Sequence, residues 1–382
     1  MTAFSRRQML GAGAVLGATA LSTSITGSAA AADSAPAGYR RGRWLREENR
    51  SLDELYADAR REGGELVVYA GGDTPHDWDF VSQAFASRFP GIKPTIVVDY
   101  SKYHDTRVDN QLATNTLVPD VVELQTLHDF DRWKAMGVLL PYKPAGFSKV
   151  HDAFRDPDGA WVAVAVPAAS YMYAESLGSQ GPATPRDLVD PRWKGAIASS
   201  YPQDDDAILY LYRLYTQAYG WDWVSRLAAQ NPRFARGTNS PIVAVAGKEK
   251  LVGIGGLGSL IAPPAPGVRW VAPDGHPFMA WGQRAAILRA AKHPAAAKLY
   301  LNWQLSSAVQ ENAFNGWSVR TDVTPAGGLR PIWEYPNAHL DGFPRFMADR
   351  AEVERWRQTF ALYFGEVQGA PTPGWLGLHP GR

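Results

Sequence analysis

Two short segments carry the residue types of a ligand grip. Gly71-Gly72-Asp73-Thr74-Pro75-His76-Asp77-Trp78 follows a strand-like run and offers carboxylates, a hydroxyl, an imidazole and an aromatic face. α/β proteins place ligand contacts at strand carboxyl ends, which suits such a loop. Its plainer role is a solvated turn in which Thr74 or Asp77 caps the next helix. Thr238-Asn239-Ser240 precedes Pro241 and reads as a helix start, with Ser240 as N-cap and Pro241 at the first helical position. The free N–H groups there favour an anionic or carbonyl ligand, or are simply capped. A third segment, Asp204-Asp205-Asp206, sits just ahead of a helix beginning near Ala207. Acids there complement the helix dipole and one of them can cap it. A cation or amine is the alternative partner.

Other motifs fall away on chemistry. Gly253-Ile254-Gly255-Gly256-Leu257-Gly258 fits the glycine spacing of a dinucleotide turn, which requires a helix to start there. Pro263, Pro264 and Pro266 follow at once and prevent it. Gly256-Leu257-Gly258-Ser259-Leu260 lacks the closing glycine of a nucleophile elbow. The eight histidines show no zinc-binding spacing. There are no cysteines, so disulfides, thiolate ligands and cysteine nucleophiles are excluded.

The elements that must position these residues read as a parallel α/β protein. Ser51-Leu52-Asp53-Glu54 is a capping box, Gly63-Gly64 ends that helix, and Glu65–Ala70 is a buried strand. A helix with Trp78, Val81, Phe85 and Phe89 on one face leads to a strand at Ile92–Tyr100. A helix at His104–Thr116, a strand at Asp120–Leu124 and a helix at Leu127–Met136 continue the alternation. After Pro144 the pattern changes. Trp161–Val166 and Ser170–Ala174 flank Pro167 as a crossover, Ile197–Ser200 is a strand, and Gly220 separates helices at Ala207–Tyr219 and Trp221–Ala229. Tyr212, Tyr215 and Tyr219 share a face with Ile208 and belong to a core. Gln283–Leu288 is a strand, Pro294–Phe314 a long helix and Ala351–Phe364 the last helix.

The 382 residues exceed what one core usually organises, and 45% apolar with 20% charged residues is ordinary for a globular chain. Ser5-Arg6-Arg7-Gln8-Met9-Leu10, the apolar run Gly11–Leu21 and the Ala29/Ala31 exit have the parts of an export signal. The paired arginines resemble a twin-arginine signal, which exports folded proteins. The formal charge is +1; losing the leader takes away Arg6 and Arg7 and no acid, giving −1. Neither value supports bulk binding to nucleic acid or an anionic membrane.

Several segments, taken in order, resemble the extracellular solute-binding proteins of ABC importers, in the branch that includes ferric-iron-binding proteins. Asp187-Leu188-Val189-Asp190-Pro191-Arg192-Trp193-Lys194-Gly195 is similar to that branch's D-L-x-D-P-x-W-K-G segment. Ala244-Val245-Ala246-Gly247-Lys248-Glu249 is similar to its A-V-A-x-G-E turn, with the glycine displaced by one position. Lys292-His293-Pro294-Ala295-Ala296, continuing to Trp303, Leu305, Ser306 and Gln310, resembles its K-x-P-x-A-A helix. Ala59-Arg60-Arg61-Glu62-Gly63 also fits, and the likeness spans roughly Leu52–Asp322. One departure matters. The branch's iron binders carry adjacent tyrosines after the strand that follows the turn, whereas Gly253–Ser259 here has none. The resemblance implies an importer role without naming the cargo.

The resemblance thus implies a periplasmic-binding-protein-like fold of two α/β lobes joined by hinge strands near Trp161–Val166 and Pro273–Trp281. The expected organisation is an export signal over 1–32, a tether over 33–50, a first lobe from 51–160 plus 281–330, a second from 161–280 plus 331–370, and a loose tail over 371–382. A small-molecule solute is expected in the interdomain cleft, delivered to an ABC transporter permease after export by the twin-arginine machinery. The expected contacts are Thr74, Trp78, Tyr171, Tyr173, Asp204, Asp205, Asn239, Ser240 and Trp281. Aromatics would stack, carboxylates would meet donors or cations, and Asn239 with Ser240 would hold an acceptor. No catalytic residue, cofactor, metal or nucleic-acid partner is expected, and the chain is read as a monomer outside the cytoplasm. The rival readings are an exported α/β hydrolase-type enzyme, a sensory or adhesive binding module, and a ferric-iron binder with unusual ligands.

Overall fold

The computed structural model describes residues 45–312 and 316–370. The leader at 1–32, the tether up to residue 44, Phe314 and the tail at 371–382 lie outside the described residues. Among the described residues, no helix is long and apolar enough to cross a membrane. The end of the tether is pinned rather than loose. Glu47 accepts backbone N–H groups from Gly146 and Ser148, and Glu48 accepts the hydroxyl of Tyr142. The Arg50 guanidinium on Glu48 holds that carboxyl well down, to about 2.

The first lobe opens with α1 (Leu52–Glu62), β1 (Glu65–Gly71), α2 (Asp79–Arg88), β2 (Lys93–Asp99), α3 (Ser101–Thr114), β3 (Val121–Leu124) and α4 (Leu127–Ala135). The Ser51/Glu54 capping box starts α1 as the sequence implies. β4 (Val162–Ala165) and β5 (Ala168–Ala174) then straddle Val166-Pro167. The second lobe follows with β6 (Ile197–Ser200), α5 (Asp206–Ala229), β7 (Arg233–Ala235), α6 (Ser240–Ala246), β8 (Val252–Leu257), β9 (Val268–Val271) and β10 (Met279–Ala280). β11 (Gln283–Ile287), α7 (Pro294–Gln304) and α8 (Ser307–Gln310) return to the first lobe, and α9 (Gly342–Ala348) and α10 (Arg350–Phe364) pack on α5 of the second.

Two sheets organise these elements. The first has strand order β2-β1-β3-β11-β4, with β1 parallel to β2 and β3, and β11 antiparallel to β3 and β4. The second has order β10-β5-β8-β6-β7, with β9 also paired to β5. β4 therefore belongs to the first sheet, whereas the sequence pattern places Trp161–Val166 in the second lobe. Pro167 cannot donate to a ladder, and the chain changes sheet there. It changes back between Ala280 and Gln283, and the two crossings touch: the Trp281 N–H donates to the Pro167 carbonyl at 3.1 Å.

Aromatic side chains dock the helices on each sheet, and one buried cluster runs from the first sheet into the second through Met172, Trp270 and Phe278. Phe85 meets Phe89, Tyr300 and Trp303, which docks α2 and α7 on one face of the first sheet. Tyr212 and Tyr215 are fully buried with Trp223 beneath the second, as the helical spacing implies. The helix expected over Pro294–Phe314 stops at Gln304. Ser306 is extended and turns its hydroxyl back onto Trp303, while Arg320 donates to the Leu305 carbonyl at 2.7 Å.

Candidate functional site

The parallel strands of both sheets end at one seam. From the first lobe, β1 leads into Asp73, β2 into Tyr100 and Lys102, and β3 into Gln125. From the second, β6 leads into Asp204 and Asp205, and β7 into Arg236 through Asn239. Strand carboxyl ends expose the loops in which side chains are free to converge, so this is where α/β sheets hold ligands.

The lobes meet there through side chains. One Asp73 carboxylate oxygen accepts both the Thr238 hydroxyl and the Asn239 N–H, each at 2.7 Å. The cap residue of α6 thus meets a carboxylate supplied by the opposite lobe rather than by a ligand. Gly237 makes the approach possible. Its φ is +80°, and a Cβ on it would lie 2.8 Å from Asp73 Cγ. Lys102 donates to the Asp204 carboxylate and, at 2.8 Å, to its carbonyl; Arg236 reaches the same carboxylate at 2.7 Å. Gln125 donates to Asp205 at 3.2 Å, while the other Asp205 oxygen caps α5 through the Ile208 N–H at 3.0 Å.

Crowded acids shape the electrostatics. Enclosure raises the Asp205 carboxyl to about 7, helped by the Asp73 and Asp206 charges and opposed by the hydrogen bonds from Ile208 and Gln125. Asp73 is pushed up by desolvation and by Asp77, against the pull of Thr238 and Asn239. The Tyr100 hydroxyl is moved further from ionisation by burial and by Asp73 and Asp204. The seam therefore offers cationic donors, carboxylates and a neutral phenol within one polar volume.

The expected contacts divide accordingly. Asp204, Asp205 and Asn239 lie at the seam, Asn239 through its backbone. Thr74 does not reach across: its N–H and hydroxyl both go to Asp77 of its own loop. Trp78 donates its indole N–H to the Gly71 carbonyl at 2.9 Å and packs against the first core. Ser240 is not the cap expected of it. Its hydroxyl goes to the Gly237 carbonyl at 2.9 Å, and Asn239 occupies the cap position without a side-chain bond. Tyr171, Tyr173 and Trp281 are buried in the second core. Tyr171 donates to the Pro182 carbonyl, Tyr173 packs on Gly181, and Trp281 donates to Gln283. Sequence reasoning missed Tyr100, Lys102, Gln125 and Arg236. The rule applied to the first strand would have found the first three had it been applied to β2 and β3 as well. A cavity of about 440 Å³ opens elsewhere, lined by His151, Tyr210, Trp333, Tyr335 and Arg345 among others, and shares none of the seam residues.

Residues 118–248 match the family of bacterial extracellular solute-binding proteins. No curated protein sequence matches the chain. Among solved structures, the chain is similar to the periplasmic binding protein AfuA of Actinobacillus pleuropneumoniae, solved with exogenous fructose-6-phosphate bound. Identity is 19% and the TM-score 0.62, over 79% of this chain and 98% of that one. Iron-bound HitA of Pseudomonas aeruginosa matches at 17% identity and a TM-score of 0.56, over 78% and 99%. The spermidine/putrescine substrate-binding protein PotD of Streptococcus pneumoniae, in complex with calcium and HEPES, matches at 14% and 0.54, over 78% and 99%. Residues 118–248 are thus similar to bacterial extracellular solute-binding proteins, and the fold around them is the periplasmic-binding-protein fold.

Proposed function

We propose that this protein is the extracytoplasmic solute-binding component of an ABC importer, which captures a small solute between its lobes and presents the closed form to a membrane permease. The observation that carries this reading is the seam itself. Two sheets joined by adjacent crossings turn their strand carboxyl ends toward each other, and Asp73 of one lobe sits on the α6 N-terminus of the other. A cleft that closes on such contacts can add a solute's own hydrogen bonds to them, which couples binding to hinge closure. Export through the paired arginines and a periplasmic or extracellular location complete the proposal.

The test is a thermal-shift screen over amino acids, polyamines, sugar phosphates, phosphonates and vitamins, read together with small-angle scattering. A ligand of the folded state at 100 times its Kd adds about 2.7 kcal/mol of stability. One chemical class is expected to raise the melting temperature and to leave the molecule at least as compact as the free protein. A ligand that stabilises the protein while expanding it, or that still binds when Lys102 and Arg236 are both replaced by Met, would count against a seam site.

A further inference from the structure

A second cluster lies beside the seam and uses none of its residues. Asp105 on α3 and His128 and Asp129 on α4 each bring one ligand-type atom to within 4.8 Å of the others. Asp129 is 2% exposed. One of its oxygens accepts from Arg132 at 2.8 Å and lies 3.6 Å from His128 Nε2. The other, Oδ2, is buried and has no hydrogen-bond partner among the described residues. The same holds for His128 Nδ1 and for the hydroxyl of Thr126, the cap residue of α4, which is 1% exposed. Buried polar atoms are nearly always paired, so three orphans on four consecutive residues need an explanation. Two carboxylates at this separation also repel each other unless a cation or a shared proton lies between them, and burial together with the Asp129 charge pushes the Asp105 carboxyl up to about 7. Arg132 does not fill that role, because it is shared with Asp109 outside the cluster.

We propose that Asp105, His128 and Asp129 hold one divalent transition ion, best matched by Zn²⁺, that ties α3 to α4 at the edge of the seam. Carboxylate and imidazole ligands, three in number and completed by water, suit a four-coordinate Zn²⁺, whereas Ca²⁺ and Mg²⁺ seek six or more oxygens. Tetrahedral bonds of 2.0–2.1 Å need ligand atoms roughly 3.3 Å apart. The atoms, now within 4.8 Å of one another, would have to draw together by side-chain rotation to reach it. Sequence spacing hides the site, because Asp105 is separated from His128 by a whole strand. The ion would also fix the helix whose first turn supplies Lys102 to the seam.

The test strips the mature chain with a chelator, titrates Zn²⁺ against a colorimetric competitor and follows melting in parallel. The expected result is one Zn²⁺ per chain, with the stabilisation saturating at one equivalent. Asp129→Asn and His128→Ala should each weaken uptake at least tenfold. Asp105→Asn relieves the like-charge contact, so the metal-free variant should melt no lower than wild type and still lose zinc uptake. A fold defect would not produce that combination. His76→Ala removes an exposed imidazole elsewhere and should leave uptake unchanged. Absence of one-to-one uptake, uptake unaffected by Asp105→Asn and Asp129→Asn, or uptake lost with His76 would overturn the proposal. None of these outcomes bears on solute capture at the seam, which is read by the ligand screen.

Discussion

Asp73 is the residue on which contact between the lobes turns. A single carboxylate accepting a hydroxyl and a backbone N–H at 2.7 Å makes charge-assisted bonds, worth roughly 1.5–3 kcal/mol against a neutral replacement. Asp73→Ala is therefore expected to enlarge the unliganded protein in small-angle scattering while leaving its far-UV circular dichroism unchanged. Gly237→Ala should do the same with Asp73 intact, because the new methyl would stand 2.8 Å from its carboxyl carbon at a φ of +80°. An unchanged radius in both variants would mean that this contact does not govern closure. Both partner segments were legible in the sequence, since a loop after the first strand and a Ser-Pro helix start announce themselves by type. Which residue in each segment reaches across was not. Thr74 and Trp78 have the right chemistry but spend it on Asp77 and Gly71. Tyr171, Tyr173 and Trp281 show the converse error. In a chain with 14 Trp and 16 Tyr, the type does not say which face of the strand bears the ring.

At the scale of elements, β3 carries a group that makes stability depend on pH. Glu123 is fully buried, accepts the Tyr300 hydroxyl of α7 at 3.1 Å, and leaves its other oxygen without a partner among the described residues. Burial raises its carboxyl to about 8, with the Tyr300 and Gln304 hydrogen bonds pulling the other way. The folded state thus keeps a proton that the unfolded chain gives up near pH 4.5. The unfolded state binds fewer protons across that window, so stability falls as pH rises from about 4.5 to about 8, by at most ~1.4 kcal/mol per unit, and levels off above it. Glu123→Gln mimics the protonated acid. The stability of wild type minus that of the variant should fall over that range in urea titrations, and a flat difference would show that Glu123 ionises normally. The strand bearing this acid was legible from its apolar run, as were α1, β1 and the break at Gly220. β7 was not, because a three-residue strand leaves no periodicity and exists only through pairing with β6. The early stop of α7 was equally invisible. It is accompanied by the Arg320 hydrogen bond to the Leu305 carbonyl, made across a loop that the periodicity does not read.

At the scale of the whole molecule, the lobes are hinged by two touching crossings and joined at the seam by few bonds. The Trp281–Pro167 hydrogen bond lies at the crossings and need not break on opening. Among the described residues, the polar contacts across the seam are those of Asp73, the Gln125–Asp205 bond and the Lys102–Asp204 pair, and α4 also packs on α9 through Leu127. Lys102 and Asp204 keep 28% and 12% of their side-chain surface exposed, so their pair is worth about 0.2–1 kcal/mol and is screened by salt. The polar part of the balance between open and closed forms is then a few kcal/mol, within reach of a solute. Because apparent affinity scales with the fraction of binding-competent molecules, each ~1.4 kcal/mol removed from the closed form costs about tenfold once that form is the minor one. Lys102→Met is expected to expand the unliganded protein slightly, since Asp204 keeps Arg236 and the second lobe is undisturbed. In wild type, 0.5 M salt should produce a similar expansion, and in Lys102→Met the same salt should add little. Donor and acceptor dyes on α2 and α10 would report both as a shift toward lower transfer efficiency. If salt opens Lys102→Met as far as it opens wild type, the electrostatic part of closure lies in other charges, and the Lys102–Asp204 pair is only a passenger of the closed form.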